Sequence, residues 1–206
     1  MSEYFQYGEK EIEFLKKADK KLAAVIEHIG IIKRPVIPDL FTALVHSIVS
    51  QQISNKARNT IWKRIENKLN KITPTTIHDL SVEEVQQFGI SFRKANYIKS
   101  AAQKITNGEL NLNSLYKLSD KEVCNQLTQL NGVGIWTAEM LMIFSMQRPN
   151  ILSYGDLAIH RGLQILYQQE KIDKDTFNEH WKRYTPYASV ASLYLWEIAS
   201  GNTLPK

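Results

Sequence analysis

Apolar residues recur along this chain at helical rather than strand spacing. Between Glu9 and His28 they fall at 12, 14, 15, 22, 23, 25 and 26, the stripe of one helix. Gly30 is placed to close it, and Pro35 and Pro38 make residues 31–38 a loop. Asp39 is a predicted N-cap for a helix from Leu40 to Ser50. Ser54 is a predicted cap for the next, Asn55 to Leu69, with Gln51-Gln52-Ile53-Ser54 interrupting the two. Pro74 marks a break. Ser81-Val82-Glu83-Glu84 and Ser119-Asp120-Lys121-Glu122 are both capping-box patterns, and Gly89 ends the short helix after Ser81. Ser91 to Asn107 reads as a basic amphipathic helix carrying Arg93, Lys94, Lys99 and Lys104.

The second half continues in the same period. Ser119 to Leu130 leads into the tight turn Asn131-Gly132-Val133-Gly134, and Ile135 to Met146 follows as an apolar helix opening with Trp136. Further helices are predicted from Asp156 to about Gln168, from Asp175 to Arg183 and from Pro186 to Ser200. The last has Thr185 as N-cap, Pro186 at the first helical position and Gly201 as its stop. Strand signals are nearly absent. The expectation is an all-α chain of about ten helices with short connections. Composition marks no boundary; the expected arrangement is one unit in two helical lobes with a cleft, about residues 39–150 including the hairpin and about 1–38 plus 151–206.

Composition narrows the chemistry. The chain has 206 residues, 43% of them hydrophobic and 23% charged, ordinary values for a globular protein. No apolar run approaches the roughly 20 residues of a membrane span, and the start lacks the apolar core of a signal peptide, so cytosolic residence is expected. Cys124 is the single cysteine, which excludes an internal disulfide, a four-thiolate zinc site and a cysteine-ligated iron–sulfur cluster. The histidines at 28, 46, 78, 160 and 180 show no i, i+4 pairing. The net charge of +5 fits an anionic partner without requiring one.

Gly132 and Gly134 permit backbone angles or a close approach that a side chain forbids. Amides near Val133, Gly134 and Ile135 then stand at the start of the Trp136 helix, where unpaired N–H groups and the positive helix end can hold a phosphate. On its own such a turn is more often a plain helix–helix connection. Asp156 is equally ambiguous: a carboxylate at a helix start is an N-cap worth about 1 kcal/mol.

The longer pattern resembles the helix-hairpin-helix DNA glycosylase superfamily. It consists of Leu127-x-x-Leu130-x-Gly132-Val133-Gly134, then Trp136-Thr137-Ala138, then Asp156-Leu157 about twenty residues on. Ser47 to Ser54, Phe92 to Ile98 and Arg148-Pro149-Asn150 agree with it, and the resemblance covers roughly Phe41 to Gly201. It looks most similar to the 3-methyladenine DNA glycosylase II branch, without the extra N-terminal β-domain of some members.

The resemblance implies roles. Asp156 matches the essential aspartate. Trp136 stands where bifunctional relatives carry a Schiff-base lysine, so a monofunctional enzyme that uses water and leaves an abasic site is expected. Trp136 and Trp196 match base-pocket aromatics, suited to a cationic N-alkylated purine. Met140 and Leu157 replace two further pocket aromatics. Gln51-Gln52 matches the loop that fills the gap left by a flipped base, with Ser54 beside it. Lys56, Arg58, Arg93, Lys94 and Arg161 are candidates for the DNA-backbone surface, together with Gly132, Val133, Gly134 and Ile135. Backbone carbonyls of Thr128, Leu130 and Val133 would hold a structural Na+ or K+, and no other cofactor is expected. The implied partner is double-stranded DNA with a damaged base, the implied state a monomer, and the implied location the cytoplasm or, in a eukaryote, the nucleus. Two other readings stay open: a non-catalytic module that binds DNA structure, and a glycosylase for oxidised or deaminated bases.

Overall fold

A computed structural model describes residues 3–201, and these contain thirteen helices and no strand, only one isolated antiparallel bridge between Tyr4 and Pro35. They divide into two units. One, the hairpin unit, is Ile37–Leu141; the other, the aspartate unit, joins the chain up to Val36 with the chain from Met142 on. None of the described helices is long and apolar enough to cross a membrane.

The stripe from Glu9 to His28 is two helices, α1 (Glu9–Ala18) and α2 (Lys20–Ile29), where the periodicity predicted one. Asp19 is the reason. Its Oδ1 accepts the Lys21 and Leu22 amides at 3.0 and 2.9 Å, so the side chain starts a new helix and the backbone turns. Gly30 at φ +72° closes α2.

The hairpin unit follows: α3 (Leu40–Ser50), α4 (Asn55–Lys68), α5 (Pro74–His78), α6 (Val82–Gln86), α7 (Phe92–Thr106), α8 (Leu112–Leu115), α9 (Asp120–Leu127) and the start of α10 (Ile135–Phe144). Asp39, Ser54, Ser81 and Ser119 cap their helices as their positions predict, and Ser91, read as the first residue of its helix, is also a cap. Pro74 is the first residue of a helix rather than a break, with Thr73 as its cap. Both α5 and α8 are too short to display a period, so the pattern missed them. Helix α7 packs on α3, α5 and α6. Its Ala95, Ile98, Ala101 and Ala102 are buried in the same unit as Leu40, Phe41, Leu44, Val45 and Ile48 of α3. Lys99 of α7 reaches the end of α5, donating to the carbonyls of His78 at 2.6 Å and of Leu80. A cation at carbonyls left open by a helix C-terminus is favourable.

The aspartate unit holds α11 (Leu157–Tyr167), α12 (Lys174–Tyr184) and α13 (Ala188–Ser200) with α1 and α2. Helix α13 starts at Ala188 and not at Pro186: Thr185 ends α12, and the Thr185–Pro186 peptide is cis. Residues Ala188 to Leu195 of α13 are all buried. Helix α11 packs on α13 at backbone contact, since a Cβ on Gly162 would lie 2.3 Å from the Leu195 carbonyl oxygen.

A polar cluster ties α1, α2, α11 and α12 together. Asp19 Oδ2 accepts from the Tyr167 hydroxyl and from Arg183 Nη1 at 2.8 Å, and the Tyr167 and Tyr184 hydroxyls are 2.7 Å apart. Burial raises the Asp19 pKa, but hydrogen bonds from Tyr167, Leu22 and Arg183 outweigh it and hold the carboxyl below its ordinary range. His180 is stacked on Tyr167 at 4.2 Å, is 4% exposed, and has no hydrogen-bond partner at either ring nitrogen.

Two predictions follow from this packing. Gly162→Ala has no rotamer that removes its clash with backbone, so it should lower unfolding stability by about 1–3 kcal/mol in urea titration. Stability equal to wild type would mean that α11 and α13 separate at no cost. His180 has its pKa pushed down to about 4, first by burial and then by the Arg183 charge, with Asp19 opposing. The unfolded chain then binds the proton more tightly below about pH 6.5, so His180 costs stability as pH falls from about 6.5 towards 5. Thermal midpoints between pH 7 and 5 should drop, and His180→Phe should reduce the drop. The same slope in both proteins would remove His180 as its source.

Candidate active site

The hairpin unit builds one set of candidate residues. The α9 capping box and buried Val123, Leu127, Leu130 and Val133 fix the helix that enters the turn. The Val133 N–H donates to the Leu130 carbonyl at 3.1 Å, so this amide closes the turn. The two glycines differ. Gly132 sits at φ +82°, and a Cβ there would lie 2.3 Å from the Tyr97 ring of α7. Gly134 has nothing within 4 Å of a Cβ position. The first is required by the fold; the second leaves its backbone open to approach. Ile135 and Trp136 are 65% and 46% exposed, unusual for large apolar side chains at a helix start.

The Gln51-Gln52 loop is fastened beside this turn. Gln51 Nε2 donates to the Gly132 carbonyl at 2.8 Å. Lys94 Nζ donates to the carbonyls of Val49 and Gln51 at 2.8 and 2.6 Å. Burial, and then the neighbouring Arg93 charge, lowers the Lys94 pKa. Lys94, expected on a DNA-backbone surface, is therefore a clamp on the loop. Gln52 is exposed and held at φ +54°, a left-handed angle that few non-glycine residues adopt. Ser54 Oγ accepts from the Ala57 amide and is engaged as a cap. Gln51, Gln52, Lys94, Tyr97, Gly134 and Trp136 are among the residues lining one pocket of about 580 Å³. Met140 lies further along α10 and is half-buried.

The aspartate unit builds the other set. Asp156 is the N-cap of α11, 7% exposed, and its Oδ1 accepts from the Ala158 and Ile159 amides at 2.9 and 3.1 Å. Its Oδ2 accepts from Trp196 Nε1 at 3.3 Å. Helix α11 brings Asp156 to Trp196 because Leu195, the residue before Trp196, is the one Gly162 touches. Leu157 is 85% exposed beside the acid, and Arg161 is exposed on the same helix. His160 bonds the Tyr154 carbonyl at 2.7 Å and stacks on Phe177.

Two participants escaped the sequence pattern, and a third, Tyr97, lay in the matching stretch Phe92 to Ile98 without an assigned role; it fills the space that Gly132 leaves. Phe144 packs on Trp196 with ring centroids 5.5 Å apart, and it is one apolar residue among many in α10. Arg34 places its guanidinium 5.8 Å from the Trp196 ring and 6.0 Å from that of Phe144, from a loop no motif covers.

The glycine difference is testable. Gly132→Ala adds both a strained φ and a ring clash, and should cost about 1 kcal/mol or more of stability. Gly134→Ala should leave the thermal midpoint near wild type and weaken binding to a DNA duplex. Equal loss of stability in both variants would show that the turn needs both glycines simply to fold.

Comparison with known proteins identifies the family. Residues 45–186 match the family model described as HhH-GPD superfamily base excision DNA repair protein. DNA-3-methyladenine glycosylase 1 of Schizosaccharomyces pombe is 33% identical over 164 residues, 77% of this chain and 72% of that protein. The crystal structure of a DNA-3-methyladenine glycosidase from Bacillus halodurans superposes with a TM-score of 0.85 at 36% identity, covering 96% of this chain and 92% of the other. A Schizosaccharomyces pombe 3-methyladenine DNA glycosylase in complex with abasic DNA gives 0.79 at 27% identity, covering 96% of this chain and all of that one. The chain belongs to the HhH-GPD superfamily of base excision DNA repair proteins.

Proposed function

We propose that this chain is a monofunctional DNA glycosylase that removes alkylated purines, 3-methyladenine first, from duplex DNA and leaves an abasic site. The observation that carries it is the Asp156 carboxylate. It is buried, and two backbone amides and the Trp196 indole fix both its oxygens. Cleavage of a glycosidic bond builds positive charge on the deoxyribose. A carboxylate about 4 Å away, at an effective dielectric of about 20, stabilises that charge by about 4 kcal/mol. That corresponds to roughly three decades in rate. Because the carboxylate is already oriented, little reorganisation is needed as the charge forms.

Trp136 stands where a lysine nucleophile would be needed for strand cleavage, so water attacks the sugar and Asp156 steers it. The stacked base must leave the helix first. Gln51 is engaged at the Gly132 carbonyl, so Gln52, exposed and on a strained backbone, is the residue that fills the gap. Gly134 and Ile135 amides receive a DNA phosphate, with Arg161 adding charge at the backbone. Neutral carbonyls of Thr128, Leu130 and Val133 suit Na+ or K+; the Leu130 carbonyl accepts the Val133 amide and keeps a second lone pair for such an ion. A cation there would brace the turn, and no chemical step depends on it. The protein acts as a monomer on DNA.

Incubation with duplexes carrying 3-methyladenine, 7-methylguanine, hypoxanthine or ethenoadenine tests the reading, by identifying released bases. Release of 3-methyladenine is expected from the wild type. Asp156→Asn should keep the helix cap and duplex binding while losing about a thousandfold in release rate. Borohydride should trap no protein–DNA adduct. Near-normal excision by Asp156→Asn would remove the acid from the mechanism, and a trapped adduct would remove water as the nucleophile. DNA binding with no release of any base would favour a non-catalytic module.

A further inference from the structure

The segment before α3 carries no family motif, yet it delivers a permanent positive charge to the Trp196 aromatic surface. Arg34 lies over both Trp196 and Phe144, and the two rings are tilted by 34° to each other. Trp196 is the indole whose N–H is bonded to Asp156. The guanidinium thus sits on the aromatic group that holds the acid.

Cation–ring contacts are common as plain packing, and most surface arginines lay their stem on apolar atoms and leave the head in water. Two features separate Arg34 from that case. Its head, not only its stem, lies against the rings, and the side chain is half-buried. The backbone around it is pinned on both sides. The Phe5 amide donates to the Arg34 carbonyl and the Val36 amide to the Glu3 carbonyl, each at 2.9 Å. The Ile32 amide and carbonyl both bond the Tyr7 hydroxyl, at 2.7 and 3.0 Å, and the Tyr194 hydroxyl donates to the Gly30 carbonyl at 2.9 Å. A side chain presented from a loop held this way is positioned before any ligand arrives.

We infer that Arg34 tempers the preference for a cationic base at the Trp196 surface, so that neutral purine lesions are released beside the alkylated ones. This rests on the glycosylase reading above. An electron-rich indole attracts a cationic base, but here a resident cation already draws on the same ring and repels a second positive charge. The guanidinium also offers N–H donors, which suit the acceptor atoms of a neutral purine such as hypoxanthine. The N-terminal segment would therefore be part of the specificity apparatus and not an appendage.

The test compares kcat/KM for 7-methylguanine, which carries the charge, with that for hypoxanthine, which does not, on the same duplex sequence. Arg34→Gln should raise the ratio of charged to neutral release about tenfold. Arg34→Lys keeps the charge and should move the ratio far less. Arg34→Met retains an apolar stem over the rings and serves if Arg34→Gln folds poorly; it should shift the ratio in the same direction. A ratio within twofold of wild type in both Arg34→Gln and Arg34→Met, with thermal midpoints intact, overturns the inference while leaving the glycosylase reading in place. A wild-type protein that releases 3-methyladenine but neither of these two bases overturns the inference alone, and one that binds DNA and releases none of the three overturns both.

Discussion

The contact on which the aspartate unit depends is one between backbones. Gly162 lets α11 lie directly on α13 at the Leu195 carbonyl. Asp156 opens α11 and Trp196 follows Leu195, so the same contact that closes the unit brings the carboxylate to the indole. Any wider helix spacing would separate them, since the bond between the two side chains is already 3.3 Å long. The chemistry of this unit is therefore a property of helix packing, and the nearest residue to a control point is a glycine with no functional group.

The hairpin unit reaches order by a different route, in which lysines of α7 act on carbonyls. Lys94 holds the Gln51 loop, Lys99 holds the end of α5, and Lys104 reaches the Gln129 carbonyl at 3.3 Å. A row of basic residues on an amphipathic helix reads as a surface for an anion. Here much of that row satisfies helix ends and loops, where water would otherwise be needed.

Much of the helical frame was legible because its signals are local. Asp39, Ser54, Ser81, Ser91, Ser119 and Asp156 announce helix starts through one side chain and one or two amides a few residues on. The fold class follows from the period of the apolar residues. What was not legible depends on contacts between distant parts of the chain. Asp19 breaks a continuous stripe because it also serves Tyr167 and Arg183, more than 140 residues away in sequence. Lys94 looked available for DNA because no local rule marks the carbonyls of Val49 and Gln51 as its partners. The difference between Gly132 and Gly134 needed the position of Tyr97. Arg34 and Phe144 carry no signature at all; only the fold puts them at Trp196.

The double duty proposed for Asp156, cap and catalytic carboxylate, bears on how such chains change over time. A carboxylate that caps α11 through two amides would be retained by selection for folding even in a descendant that had stopped cutting DNA. Presence of the aspartate is then a poor marker of an active lineage. The indole bond is the better one. Trp196 contributes nothing to the cap, so selection for starting α11 does not by itself maintain its bond to Asp156.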